Sequence, residues 1–138
     1  MNSIFIFSLI LLISGSSCDQ VHEISNEISL LLEAIKLKDD VVVGEMFEMV
    51  EDDDNNMDKF IETFQGVNIH LDSAKKVEDG NIEAKIQISD KIPATLVFKK
   101  SIRSPYGLRI SGISTEKGGK MCTVGILKCA MDILGNKD

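Results

Sequence analysis

The spacing of the apolar residues changes once along this chain, and that change most restricts the fold. Up to Gly66 apolar residues recur every three or four positions, as on one face of a helix, and beyond it they alternate with polar residues, as in a strand. A run of helices followed by a run of strands favours segregated layers. The sequence therefore predicts an α+β fold, with three amino-terminal helices on an antiparallel sheet of about four strands.

The helical part divides into three predicted helices. The first is amphipathic and ends near residues 36–38. Asp39 or Asp40 is expected to cap a second, short helix that runs through Phe47. Asn55 or Asn56 is expected to cap a third, which residues 65–66 end. The apolar stripe of the first helix is Val21, Ile24, Ile28, Leu31 and Ile35, with Glu23, Asn26, Glu27 and Glu33 between them; that of the third is Met57, Phe60, Ile61 and Phe64.

Turn-forming residues divide the remaining chain into strands. Asp79-Gly80 is a hairpin signal between strands near 67–72 and 82–89. A third strand is expected after Pro93, from Thr95 to Lys100, and a fourth after the turn at 104–107. The stretch 117–120 is expected to be a flexible break before a carboxy-terminal tail. In that tail Val124, Leu127, Met131 and Leu134 recur at helical spacing.

The first 18 residues are typical of a cleaved secretory signal peptide. They carry no charge, and residues 4–13 form an apolar run followed by small residues. The run is shorter than the roughly 20 residues of a membrane anchor. A lipid-modified Cys18 would need an aliphatic residue where Gly15 stands. Cleavage after Ser17 or Cys18 predicts a secreted protein with no membrane attachment, a domain at 19–116 and a tail at 117–138.

Net charge excludes some partners. The formal charge of −7 belongs entirely to the mature chain, since the leader is uncharged. An acidic domain is repelled by phosphate backbones and anionic membranes, so nucleic acid is not an expected partner. The sequence has no Asn-x-Ser/Thr sequon, so no N-glycosylation is expected.

Cys122 and Cys129 would remain as a pair if cleavage removes Cys18. On one continuous helix their Cα atoms would be about 10 Å apart, whereas a disulfide tolerates roughly 7 Å at most. Either the segment bends, with Gly125 as the candidate, or the two cysteines do not pair with each other. Their spacing does not match a zinc site.

The acidic run after residue 50 resembles a calcium-binding loop in part. Glu51, Asp53, Asn55 and Glu62 fall at ligand positions one, three, five and twelve. Asp58, however, occupies the position where such loops have an aliphatic residue. A solvated turn that caps the next helix is therefore favoured, and no metal or other cofactor is expected.

His70 is the candidate acid/base residue, with Asn68, Asp72, Glu83 or Lys85 as neighbours. The alternative, a histidine on the exposed polar face of a sheet, is favoured. No serine-hydrolase, zinc-protease, P-loop or dinucleotide-binding motif occurs.

Residues 65–68, Gln-Gly-Val-Asn, resemble the Gln-x-Val-x-Gly loop with which cystatins inhibit cysteine proteases. Ile69 stands in place of the last glycine, and the chain lacks the tryptophan of the second inhibitory loop. The segment is therefore favoured as the entry to the first strand.

The order of elements resembles the nuclear transport factor 2-like fold over residues 19–114, particularly its small secreted members. The resemblance rests on Ala34-Ile35-Lys36, Lys38-Asp39 and Gly44 to Phe47, then a helix and three or four strands. It implies a curved sheet that wraps the helices into a cone with a pocket at its mouth. Members bind partners, dimerise, or act as isomerases or dehydratases with an Asp or His base and a Tyr or Asp oxyanion donor inside the cone. No such pair is identifiable here.

These observations favour a secreted, non-enzymatic domain that binds a small apolar ligand or a protein partner through the cone, with homodimerisation left open. The first alternative is an isomerase or dehydratase that uses His70 and a carboxylate. The second is a cystatin-like protease inhibitor.

Overall fold

The computed structural model describes residues 20–49, 55–102, 107–115 and 120–135. The predicted signal peptide lies outside the described residues, as do most of the acidic turn and most of the expected break before the tail. The described elements are α1 (residues 20–36), α2 (Asp40–Met46), α3 (Met57–Thr63), β1 (Ile69–Lys76), β2 (Ile82–Ile88), β3 (Ile92–Lys100), β4 (Leu108–Thr115) and α4 (Ile126–Gly135). The predicted α+β class is confirmed.

The sheet is an antiparallel meander in the order β1-β2-β3-β4. The hairpin signal at Asp79-Gly80 is confirmed, because this turn joins β1 to β2. The turn predicted at 104–107 lies mostly outside the described residues. β3 begins at Ile92, earlier than predicted, and includes Pro93, which pairs with Gln87 of β2. The β3–β4 pairing starts only at Ala94. Pro93 therefore lies where β4 does not require a backbone donor, which is how a central strand accommodates proline.

One face of the sheet is apolar and buried. Its β2 and β3 positions are Ile82, Ala84, Ile86, Ile88, Ala94, Leu96 and Phe98, all at most 6% exposed. Because strand side chains alternate between faces, the intervening residues, such as Glu83, Lys85 and Lys99, face outward. The buried positions join residues of all four helices in a single hydrophobic core.

The start of α2 has the side-chain cap that the sequence predicts, and the start of α3 does not. Asp39 is the N-cap of α2, and its side chain accepts a hydrogen bond from the Val42 amide at 3.2 Å. Asn56 occupies the N-cap position of α3, but its side chain makes no capping hydrogen bond, and its carbonyl accepts the regular helical bond from Phe60 N–H. Gly66 has a φ of 73°, the left-handed conformation that commonly follows a helix end.

Phe47 is not part of α2, contrary to the sequence-based prediction. The helix ends at Met46, and Phe47 is extended and forms a parallel bridge with Ile110 of β4. This places its ring 5.4 Å from that of Phe60 in an edge-on contact, and Phe60 stacks on Phe64. Pairing with β4 therefore anchors an aromatic cluster in the core, which the apolar spacing alone did not indicate.

The carboxy-terminal tail is helical from Ile126, and α4 packs against α3 and β4. The predicted stripe was wrong at its start, because Val124 precedes the helix and is 70% exposed. The buried residues of α4 are Ile126, Leu127 and Ala130. The tail thus contributes to the same core as the preceding helices.

Truncation of α4 inside the core tests this packing. Leu127 is fully buried, so Leu127→Ala should lower the free energy of unfolding by about 2–5 kcal/mol through lost burial and a residual cavity. The matched control Val124→Ala should change it by less than about 0.5 kcal/mol. Urea unfolding of both variants measures the difference, and equal, small effects would mean that the tail does not pack on the sheet.

Candidate functional site

His70, the candidate acid/base residue, lies on the outward face of β1. Its side chain is 64% exposed, and its Nε2 is 3.6 Å from Asp72 Oδ1. Its partner across the strands is Gln87, rather than Glu83 or Lys85. Gln87 Nε2 in turn donates to Asp72 Oδ2 at 3.2 Å. The structure therefore places His70 in a solvated polar cluster, outside the core.

The predicted calcium ligands are only partly described. Glu51 and Asp53 lie outside the described residues, while Asn55 and Glu62 are exposed, the first in a turn and the second on α3. Within the described ranges no three carboxylate, histidine or cysteine side chains lie close enough together to hold a metal ion.

The cystatin-like segment joins α3 to β1. Gln65 is half-buried, and its side-chain amide donates to the Ile35 carbonyl at the end of α1. Asn68 O accepts a hydrogen bond from Ser89 N–H of the neighbouring turn. The segment is thus attached at both ends to the rest of the domain, as a strand entry would be.

Cys122 and Cys129 are joined in a disulfide with a Cα–Cα distance of 6.6 Å. The chain bends between them: Gly125 has a φ of 68°, α4 begins at Ile126, and Cys129 N–H donates to the Gly125 carbonyl. Before the bend, Cys122 exchanges two backbone hydrogen bonds with Ile113 of β4. The disulfide therefore links the edge of the sheet to the first turns of α4, and the bend allows the pairing that a continuous helix would forbid.

Removal of this disulfide should destabilise the domain measurably. The closed loop is eight residues long, since the cysteines are seven positions apart, and chain entropy assigns such a loop about 2.5 kcal/mol. Cys122→Ser/Cys129→Ser should lower the free energy of unfolding in urea by roughly that amount. Reduction of the unmodified protein with dithiothreitol is the matched control and should give a similar loss. An unchanged stability after both treatments would contradict a structural role.

Glu27 is the residue that the sequence interpretation misplaced. The sequence pattern predicts this residue on the polar side of α1, yet it is 1% exposed and lies with the core-facing residues of the helix. The position of Glu27 does indicate burial, because it is three residues after Ile24 and four before Leu31 and therefore lies on the same helical face. Val21, which the pattern predicts in the apolar stripe, is exposed.

Charge reversal at one buried and one exposed position of α1 tests the burial of Glu27. Glu27→Lys would place a long cation inside the core and should destabilise the domain by at least about 3 kcal/mol. Glu23→Lys makes the same change in net charge at an exposed position and should alter stability by less than about 0.5 kcal/mol. Thermal and urea unfolding of the pair measure this contrast, and similar effects would contradict the burial of Glu27.

An open depression of about 390 Å³ lies at the end of the sheet beside the β1–β2 hairpin. Its lining includes three lysines, Lys76, Lys99 and Lys100, together with Asp79, Gly80 and Asn81. The hairpin is held by two backbone hydrogen bonds, from Val77 N–H to Asn81 O and from Gly80 N–H to Val77 O, each 2.9 Å. Gly80 has a φ of 82°, which favours glycine at this turn.

The charges around this depression are unevenly compensated. Lys99 Nζ lies 3.5 Å from Glu48 Oε1, and both side chains are about half exposed. In the described part of the chain, Lys76 and Lys100 have no carboxylate within ion-pair distance. The lysines therefore outnumber the one acidic lining residue, Asp79, although the whole chain is acidic. No local sequence motif predicts this lysine cluster, because its members come from the ends of two strands and a turn.

No helix in the described ranges is both long and apolar enough to span a membrane. In comparisons with known proteins, no family model, curated protein or solved structure matches this chain.

Proposed function

We propose that this chain is a secreted, non-enzymatic binding domain, exported through cleavage of residues 1–17 or 1–18. The observation that carries the proposal is the Cys122–Cys129 disulfide. Disulfides form and persist in the secretory pathway and outside the cell, and are rare in the cytosol. The apolar, uncharged start of the sequence supports the same compartment.

Binding is favoured over acid/base chemistry by the surroundings of His70. An acid or base group works best where water is excluded and its partner is positioned, whereas His70 is mostly exposed beside Asp72. We assign no catalytic role to it.

The nuclear transport factor 2-like arrangement is part of this proposal. It is supported by the element order, three helices followed by a four-stranded meander. The ligand, however, is better assigned to an outward surface than to a cone lined by the inner face. Phe60, Phe98 and Ile24 are at most 2% exposed and belong to one core that joins the helices to the sheet.

Secretion is tested by expressing the full chain in cells with a secretory pathway and measuring native masses in the medium. We expect a mature chain that begins at Cys18 or Asp19, with Cys122 and Cys129 oxidised, and the same spectrum gives the oligomeric state. Leu9→Arg, which places a charge in the apolar run, should retain the protein in the cell. A cell-bound chain with its leader intact would contradict the proposal.

A further inference from the structure

We propose that the depression at the hairpin end of the sheet binds a small organic ligand through a phosphate or sulfate ester, with Lys76 and Lys100 as its principal charge partners. This inference rests on the proposed function, because it names the ligand class of the binding domain. Its support is the presence of Lys76 from the end of β1 and Lys100 from the end of β3 on the lining of one depression in an acidic protein, with Lys99 of β3 beside them.

The strand register sets the spacing of the two lysines. Lys76 of β1 pairs with Ile82 of β2, and Ile82 pairs with Phe98 of β3, two residues before Lys100. β1 and β3 therefore flank the start of β2 at about 10 Å from each other, twice the spacing of neighbouring strands. Lysine side chains are long and flexible enough to meet on a group held between those strands.

The residues between the lysines suit a tetrahedral anion. Lysine binds phosphate as a point charge, with three rotatable donors. The side-chain amide of Asn81 adds donors at the same place. The Glu48 carboxylate beside Lys99 is half exposed, and such a surface pair contributes little, so it can be exchanged for a ligand at low cost.

The size of the depression and the net charge of the chain restrict the class of ligand further. The depression has a volume of about 390 Å³ and is open to solvent, so it leaves room for the ester group while the body of the ligand stays largely exposed. A long polyanion would also extend over the acidic surface of a chain with a net charge of −7. The site is therefore expected to prefer a single small ester over heparin or nucleic acid.

The test is an NMR titration of the oxidised mature domain at low salt with glucose 6-phosphate, glucose 6-sulfate and, as the uncharged control, glucose. Either ester should shift the amide signals of Gly80 and Asn81 in a saturable way, and glucose should not. A phosphate monoester carries nearly two charges at neutral pH and a sulfate monoester about one, so the tighter of the two identifies the group that the site is built for.

Substitutions of lining and non-lining residues distinguish binding at this depression from a general effect of the protein's charge. Lys76→Ala and Lys100→Ala should each weaken binding about fivefold, the equivalent of about 1 kcal/mol for a charge pair at 4 Å in water. Lys59→Ala/Lys128→Ala removes two exposed lysines that do not line the depression and should leave affinity unchanged. Asp79→Asn removes the lining carboxylate and should tighten binding several-fold.

Three outcomes would overturn the inference: no saturable shift with either ester, an unchanged affinity in Lys76→Ala/Lys100→Ala, or tighter binding of heparin than of both esters. Each is read on the purified, oxidised domain, independently of export. A failure of secretion would therefore contradict the proposed function, whereas a failed titration of a secreted domain would contradict this site alone.

Discussion

Burial of the inner face of the sheet is the constraint on which the rest of this structure depends. A four-stranded meander with one apolar face is stable in water only when another layer covers that face. The helices provide this cover, with residues such as Ile24, Phe60 and Leu127 packed in the same core as Ile86 and Phe98. The alternation of side chains then places the polar residues of the strands on the outward face, and His70 with them.

The two edge strands of the sheet, β1 and β4, differ in whether other chain segments pair with them. β4 pairs outward with Phe47 and with Cys122, so chain segments from both ends of the domain meet along one strand. Gly112 of this strand is close enough to Met121 that a Cβ there would lie 2.9 Å from its sulfur. β1, at the other edge, has a register shift between Leu71 and Ser73, with Asp72 at the shift and Lys75 and Lys76 at its carboxyl end. Such irregular, charged edges resist pairing with other chains.

The lysine depression is a consequence of where the core ends. Lys76 is level with Ile82 at the end of β1, and Lys100 is two residues beyond Phe98 at the end of β3; both side chains are exposed. Their proximity comes from the register of three strands. An acidic chain can in this way present a local excess of positive charge, which acts at short range because salt screens the more distant carboxylates.

The sequence by itself determined the α+β class, the three amino-terminal helices, the Asp39 cap of α2 and the four strands, because apolar spacing and turn residues act locally. The tertiary structure decided what depends on contacts between distant residues. In the folded chain Phe47 pairs with Ile110 instead of extending α2, and Glu27 is buried. The bend at Gly125 brings Cys122 near Cys129. Strand register also places Gln87 opposite His70, and it brings Lys76 and Lys100 to the same depression. Register and burial follow from packing the whole chain, which no local pattern encodes.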